Sequence, residues 1–272
     1  MYFPKFWNRG TGKADGIQVE AWGWSDSSEA DAANCAVSRA QRVAESIARG
    51  ERGKGYLYGA NPLREPVLEQ LDFGVVSRNG YGCEVLNTKS VLFCDVDLDE
   101  KQHAPTGVLS QLFGRKAAPS PEQQAMDKVR KWVEAHPEWG LQAYRTKAGL
   151  RLIATHDLFD PVADRADQFF DAVAADPHFR RLCKVQKSFR ARLTPKPWRC
   201  GSTVPPARWP FRDQAQERAF EAWRQRYEAS GAGNAVCTRL EHIGSTHMNP
   251  EVQAALNFHD RKTKTDSGLP LA

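Results

Sequence analysis

Apolar residues alternate with polar ones along "GIQVEAWGWSD", which predicts a strand ending at Ser25-Asp26, a pair able to cap a helix. From Ser28 the period lengthens, and a long alanine-rich amphipathic helix is expected to run to Gly50. In "GVVSRNGYGCEVLN" two apolar segments flank Asn79-Gly80, the strongest hairpin signal in the chain. A second turn, "NTKS", leads into "VLFCDVDL", so residues 74 to 98 read as an antiparallel meander. Residues 104 to 121, with three prolines and two glycines, read as a loop or insertion. From Pro121, the spacing of Met126, Val129, Trp132 and Val133 marks a helix that should stop near His136-Pro137. "LQAYRT" and "LRLIATH" form a second predicted hairpin about Lys147 to Gly149. A helix at about 163 to 175, extended through "DPHFRRLC", and a strand "SFRARLT" follow. Beyond Pro195 the chain is rich in proline and tryptophan, then helical at 213 to 230, and its last dozen residues are expected to fray. The pattern is α+β: an N-terminal strand and helix (1–73), a core (74–200) and a C-terminal helical extension (201–272).

Composition narrows this little. A chain of 272 residues can bury a sizeable core, and 41% hydrophobic with 26% charged residues is ordinary for a soluble globular protein. No apolar run approaches the roughly 20 residues of a membrane span, and "MYFPKFWNRG" has no secretory pattern, so a cytoplasmic protein without a membrane partner is expected. The six scattered cysteines read as reduced thiols. Cys237, His242 and His247 are zinc-type ligands in the wrong grouping for a finger, and a helix surface with two histidines is the simpler account. The net charge of +5 decides nothing, but Arg180 to Arg226 is dense in cations interleaved with Phe189, Trp198, Trp209, Phe211 and Trp223. That suits a polyanion such as a phosphate-bearing partner, and would also suit a solvated helical surface.

The candidate chemistry lies in the strands. Alternation puts Asp95 and Asp97 on one face of "VLFCDVDLDE", and two carboxylates so spaced can share a hard cation, Mg²⁺ or Mn²⁺; alternatively they only terminate the strand. "LRLIATH" delivers His156 at the end of an apolar strand, and "SFRARLTPK" projects Arg190 and Arg192 from one face, with Lys196 following. Half-buried arginines are costly unless they meet anions, here the aspartates or a phosphate chain. Were these strands neighbours, Asp95 and Asp97 would hold a metal while His156, Arg190, Arg192 and Lys196 bound nucleotide phosphates, as nucleotidyl transfer requires.

In that order, the motifs resemble those of the archaeo-eukaryotic primase superfamily, the primase-polymerases. "FCDVDLD" is similar to the family's hDhD/E motif, "ATH" (Ala154-Thr155-His156) to its small-x-His motif, and "KSFRARLTPK" to its R-x-x-R-h-x-x-x-K stretch. The resemblance spans roughly residues 90 to 200. It implies an RRM-like antiparallel core, metal ligands at Asp95 and Asp97, catalytic roles for these and His156, nucleotide contacts from His156 and Arg190, and nucleic acid and nucleoside triphosphates as partners. One departure stands out: "RRLCKVQK", just before "SFRAR", has no acidic residue where the family's third carboxylate belongs. The whole chain also resembles an uncharacterised bacterial family that opens with "MYFPKFW" and carries "LTPKPWRCG".

Two shorter matches carry less. "KADG" at Lys13 to Gly16 is similar to the K-x-D-G of nucleotidyl ligases without their later elements, and reads as a loop before the first strand. "DVDLD" is similar to the D-x-D of haloacid-dehalogenase-like phosphatases without the Gly-Thr turn. The expectations are therefore a primase-polymerase-like nucleotidyltransferase, a non-catalytic nucleic-acid-binding protein of the same fold, or a metal-dependent nuclease or phosphohydrolase using the same aspartates.

Overall fold

The structure, a computed structural model, describes residues 1–51, 61–98 and 119–272. Asp99, Glu100 and most of the expected 104–121 insertion lie outside the described residues. The α+β class holds, with three antiparallel sheets flanked by helices.

The N-terminal strand has a partner that the sequence pattern did not announce. β1 (Phe6–Ala14) pairs in register with β2 (Ile17–Ser25) around Asp15-Gly16, whose φ values of 45° and 78° are those of a tight hairpin turn. "KADG" is thus the end of a strand and its turn, not a loop before the first strand. The hairpin lies on α1 (Glu29–Ala48), capped by Ser28, whose side chain accepts from the Asp31 amide. Ala32, Ala36, Ala40 and Ala44 form the buried stripe of this helix. Glycines face them: a Cβ on Gly23 would come 2.1 Å from the Ala36 nitrogen, and on Gly12 2.2 Å from the Gln41 nitrogen. Close backbone approach explains why β1 carries glycines that weaken its strand signal. A Gly23→Ala substitution should therefore push hairpin and helix apart and cost about 2 kcal/mol, measured as a fall in the urea midpoint at unchanged m-value.

The expected meander divides between two sheets. β3 (Val67–Leu71), β4 (Gly74–Arg78) and β5 (Glu84–Thr88) pair in sequence, but β6 (Phe93–Asp97) leaves them and joins the other sheet. There it pairs with β8 (Gly149–Ala154), which forms a hairpin with β7 (Gly140–Thr146), as expected. Between β6 and β7 runs α2 (Pro121–Ala135), opened by a Ser120–Gln123 capping box. β6, α2 and β7 with β8 inserted between the strands make a split β-α-β unit. The expected 163–175 helix and its extension are two helices, α3 (Asp164–Ala172) and α4 (Pro177–Gln186), broken at Ala174 (φ 54°) and restarted by the Asp176 cap. β9 (Phe189–Arg192) then pairs with β5 in the first sheet.

After residue 200 the chain is more than a helical extension. α5 (Gln214–Gly231) is followed by β10 (Cys237–Gly244), which pairs with β7 and completes the four-stranded sheet. Cys237 and His242 therefore sit on a strand rather than a helix surface. α6 (Pro250–Thr263) covers the sheet face that bears Phe93 and Tyr144, with His259 ring-to-ring at 5.8 and 5.1 Å from them. The C-terminus does not fray: Ala235 binds Pro270 and Ala272 through backbone hydrogen bonds, and Ala272 is buried. Both sheets share one core, in which Trp139, Phe169, Phe170, Phe189 and Leu86 are almost wholly inaccessible. No helix of the described residues is long and apolar enough to cross a membrane.

Candidate functional site

Asp95 stands directly opposite Arg151 in the β6–β8 ladder, so both side chains leave the sheet on the same face. The guanidinium grips the carboxylate with two bonds, Nε to Oδ1 at 2.8 Å and Nη2 to Oδ2 at 3.1 Å. Nη1 donates to the Arg192 carbonyl at 2.9 Å and lies 3.3 Å from His259 Nε2. Arg151 is only 1% exposed, and it ties β6, β9 and α6 together. Burial alone would raise the Asp95 pKa; the Arg151 charge and hydrogen bonds outweigh it and hold Asp95 below the usual carboxylate range. The sequence reading missed Arg151, although a charged residue between Leu150 and Leu152 was a visible anomaly in an apolar strand.

Asp97, two residues on, is exposed at the strand end. Partial burial, then Asp176, then Asp95 raise its pKa, against the pull of Lys196 and Arg199. Asp176 arrives from the helix α4 cap: its side chain accepts from the His178 amide, and its own amide donates to the Asp95 carbonyl at 3.1 Å. A third carboxylate thus stands beside Asp97, from a position upstream of "RRLCKVQK". Facing these acids is a group of cations. Burial, followed by repulsion from Arg192 and Arg199, lowers the Lys196 pKa, and burial followed by Arg151 lowers that of Arg192. Among the described residues the buried Arg192 Nε has no hydrogen-bond partner. The site therefore consists of two halves, an acidic and a basic one, each penalised first by burial and then by neighbouring like charges.

An aromatic surface adjoins the basic half. Trp198 is 49% exposed and lies 5.7 Å under the Lys196 ammonium. Tyr81, also 49% exposed, is carried by the Asn79 turn, where the Asn79 side chain accepts from the Tyr81 and Cys83 amides. The two rings meet edge to face at 5.4 Å.

The other expected site residues lie elsewhere. His156 is at the opposite end of the β6–β8 ladder from Asp97: Asp97 pairs with Gly149, whereas the Ala154 amide already reaches Leu92. Its ring is buried between Trp139 and Phe159, bonded to the Gly140 backbone and in contact with Arg165. Burial lowers its pKa, so it fits a neutral structural histidine. Arg190 shares the β9 face with Arg192 but is bound by both oxygens of Glu65, at 2.7 and 2.8 Å, and by Gln186. Much of the basic tract is neutralised likewise: Arg180 by Asp167 and Asp171, Lys184 by Asp167, and Arg224 by Glu221 and Glu228.

A divalent ion does not fit Asp95 and Asp97 as a pair, because both Asp95 oxygens are already engaged by Arg151. Among the described residues of the site, the carboxylates that Arg151 leaves open to one are Asp97 and Asp176. Among the described residues no three His, Cys, Asp or Glu side chains form a metal-ligating group. Compared with protein-family models, curated proteins and solved structures, the chain matches none.

Proposed function

We propose that the chain is a primase-polymerase-like protein that binds nucleotide and nucleic acid at the end of β6 and β9. The observation that carries the reading is the divided charge of the site. Arg192, Lys196 and Arg199 crowd together and would be relieved by phosphate; Asp97 and Asp176 would be relieved by a cation. A Mg²⁺- or Mn²⁺-bound phosphate chain supplies both, since Mg²⁺ is commonly held by one or two carboxylates and completed by phosphate oxygens and water. Bound there, the ion would supply charge neutralisation at the phosphate. Arg192, Lys196 and Arg199 hold the phosphates, and Trp198 and Tyr81 offer faces on which bases can stack. His156 and Arg190 have no part in this arrangement.

A second reading, binding without turnover, is favoured by the Arg151 grip on Asp95, which removes one of the two carboxylates that the strand motif would offer a metal. The two separate in one experiment. Labelled nucleoside triphosphate and a labelled oligothymidylate are bound to the full chain with and without Mn²⁺, and incorporation is followed on primed and unprimed templates. The expected result is saturable binding of both ligands, weakened about tenfold in Lys196→Ala. Trp198→Ala should cost about 1–3 kcal/mol in strand binding alone. Unchanged affinities in both variants would remove the site. Binding with no incorporation in Mn²⁺ would leave the non-catalytic reading.

A further inference from the structure

A cavity of about 440 Å³ opens between the Asn79-Gly80 turn, the segment after Pro205 and the first turns of α5. Its volume is that of a small-ligand site. Lys196, Trp198 and Arg199 do not line it, so it is separate from the site proposed above. Its walls combine three features. Trp209, Phe211 and Phe220 supply half-buried ring faces, with Phe211 and Phe220 centred 5.2 Å apart and Trp209 buttressed by Trp7 at 6.5 Å. Arg208 and Glu217 supply one charge of each sign. Neither side chain makes a hydrogen bond or ion pair among the described residues, whereas the cavity's Arg78 and Arg224 are held by glutamates.

An aromatic slot with one open cation and one open carboxylate suits a planar ligand that carries a donor edge and an anionic group. Of the nucleobases, guanine alone presents two parallel N–H donors, N1–H and an N2 hydrogen, to a carboxylate; adenine presents a single amino group beside an acceptor. A bidentate, charge-assisted pair of this kind is the stronger and more selective contact. We propose that this cavity binds a guanine nucleotide, with the base among Trp209, Phe211 and Phe220, its Watson–Crick edge on Glu217 and its phosphate on Arg208. A free nucleotide and the terminal residue of a strand present this same chemistry.

The test is calorimetric titration of the full chain with GMP, guanosine, AMP, CMP and inorganic phosphate, and with 5′-phosphorylated tetranucleotides whose 5′ base is guanine or thymine. GMP should bind saturably and about tenfold or more tightly than AMP. Glu217→Gln should bring GMP and AMP to within about twofold of each other, and Arg208→Ala should weaken GMP several-fold while leaving guanosine unchanged. Lys196→Ala, at the other site, should leave the preference for GMP over AMP unchanged. Glu217 and Arg208 are exposed, and unchanged urea midpoints would confirm that their variants fold. A guanine-ended tetranucleotide that binds more tightly than GMP assigns the cavity to a strand end; equal or weaker binding assigns it to free nucleotide. Absence of saturable GMP binding, equal binding of GMP and AMP, or a GMP preference lost in Lys196→Ala and unchanged in Glu217→Gln would overturn the proposal. Because Lys196 and Arg208 report on different sites, failure here leaves the β9 reading standing, and loss of oligothymidylate binding alone leaves this one standing.

Discussion

Asp95→Ala is expected to cost about 3–5 kcal/mol of stability, a large part of what holds a domain folded. The cause is what the substitution leaves behind. Arg151 is 1% exposed and gives two of its hydrogen bonds to Asp95, so removing the carboxylate strands a guanidinium where water cannot reach it. Arg151→Met should cost less, about 3 kcal/mol, because the Asp95 side chain keeps 33% of its exposure and can take water in exchange. The double variant Asp95→Leu, Arg151→Met should recover part of the loss. The pH dependence has a defined sign. Asp95 has a folded pKa below its ordinary 3.8, so its contribution is fully present above the unfolded value and lost as pH falls through the depressed one. In Arg151→Met burial raises the Asp95 pKa instead. The penalty of that variant should then be largest at neutral pH and shrink as pH approaches 4. Urea melts at neutral and acid pH check both statements; an Asp95→Ala protein as stable as wild type would remove Arg151 from its place as the tie between the sheets. A functional consequence follows: loss of activity in Asp95→Ala would report unfolding, so Asp97 is the carboxylate to test for chemistry.

What the sequence makes legible here is local, and what it hides is pairing at long range. Strand alternation correctly puts Asp95 and Asp97 on one face and Arg190 and Arg192 on another, because the pleat has a period of two wherever a strand goes. It cannot say which strand comes alongside. β6 follows β5 after a short turn and still pairs with β8, because the burial of Phe93, Cys94 and Val96 is completed there. For the same reason Arg190 has its charge met by Glu65, 125 residues away. Asp176 was hidden as a helix cap before a proline, in a position that makes sense locally without any site. β1 was hidden by Gly10 and Gly12, which lower strand propensity while permitting contact with α1. Two residues did announce themselves: Arg151 inside an apolar strand, and Trp198 in a proline-flanked turn amid cations, each in conflict with its local pattern.

The triple variant Arg192→Met, Lys196→Ala, Arg199→Ala should lose about 100-fold or more in oligothymidylate affinity, and its log affinity should depend less steeply on log salt, by roughly 0.7 for each phosphate contact removed. Asp97→Asn should act in opposite directions in two media. With chelator present, the charge at Asp97 only repels the strand, so neutralising it should raise affinity several-fold. The same gain should come in wild type as pH falls through the raised Asp97 pKa, above the ordinary 3.8. With Mn²⁺ present, Asp97 and Asp176 are the carboxylates that would bridge to phosphate, and Asp97→Asn should abolish the increment that the ion adds to nucleoside triphosphate binding. Gel shift and filter binding read both arms. A rise in both media means that the acids are merely neighbours of a phosphate-binding surface, and binding without turnover is then the function. A rise with chelator and a fall with Mn²⁺ requires the ion between carboxylate and phosphate. That geometry distinguishes a nucleotidyl-transfer centre from a strand-holding surface, and it does so at Asp97, where the substitution leaves the Arg151–Asp95 tie intact.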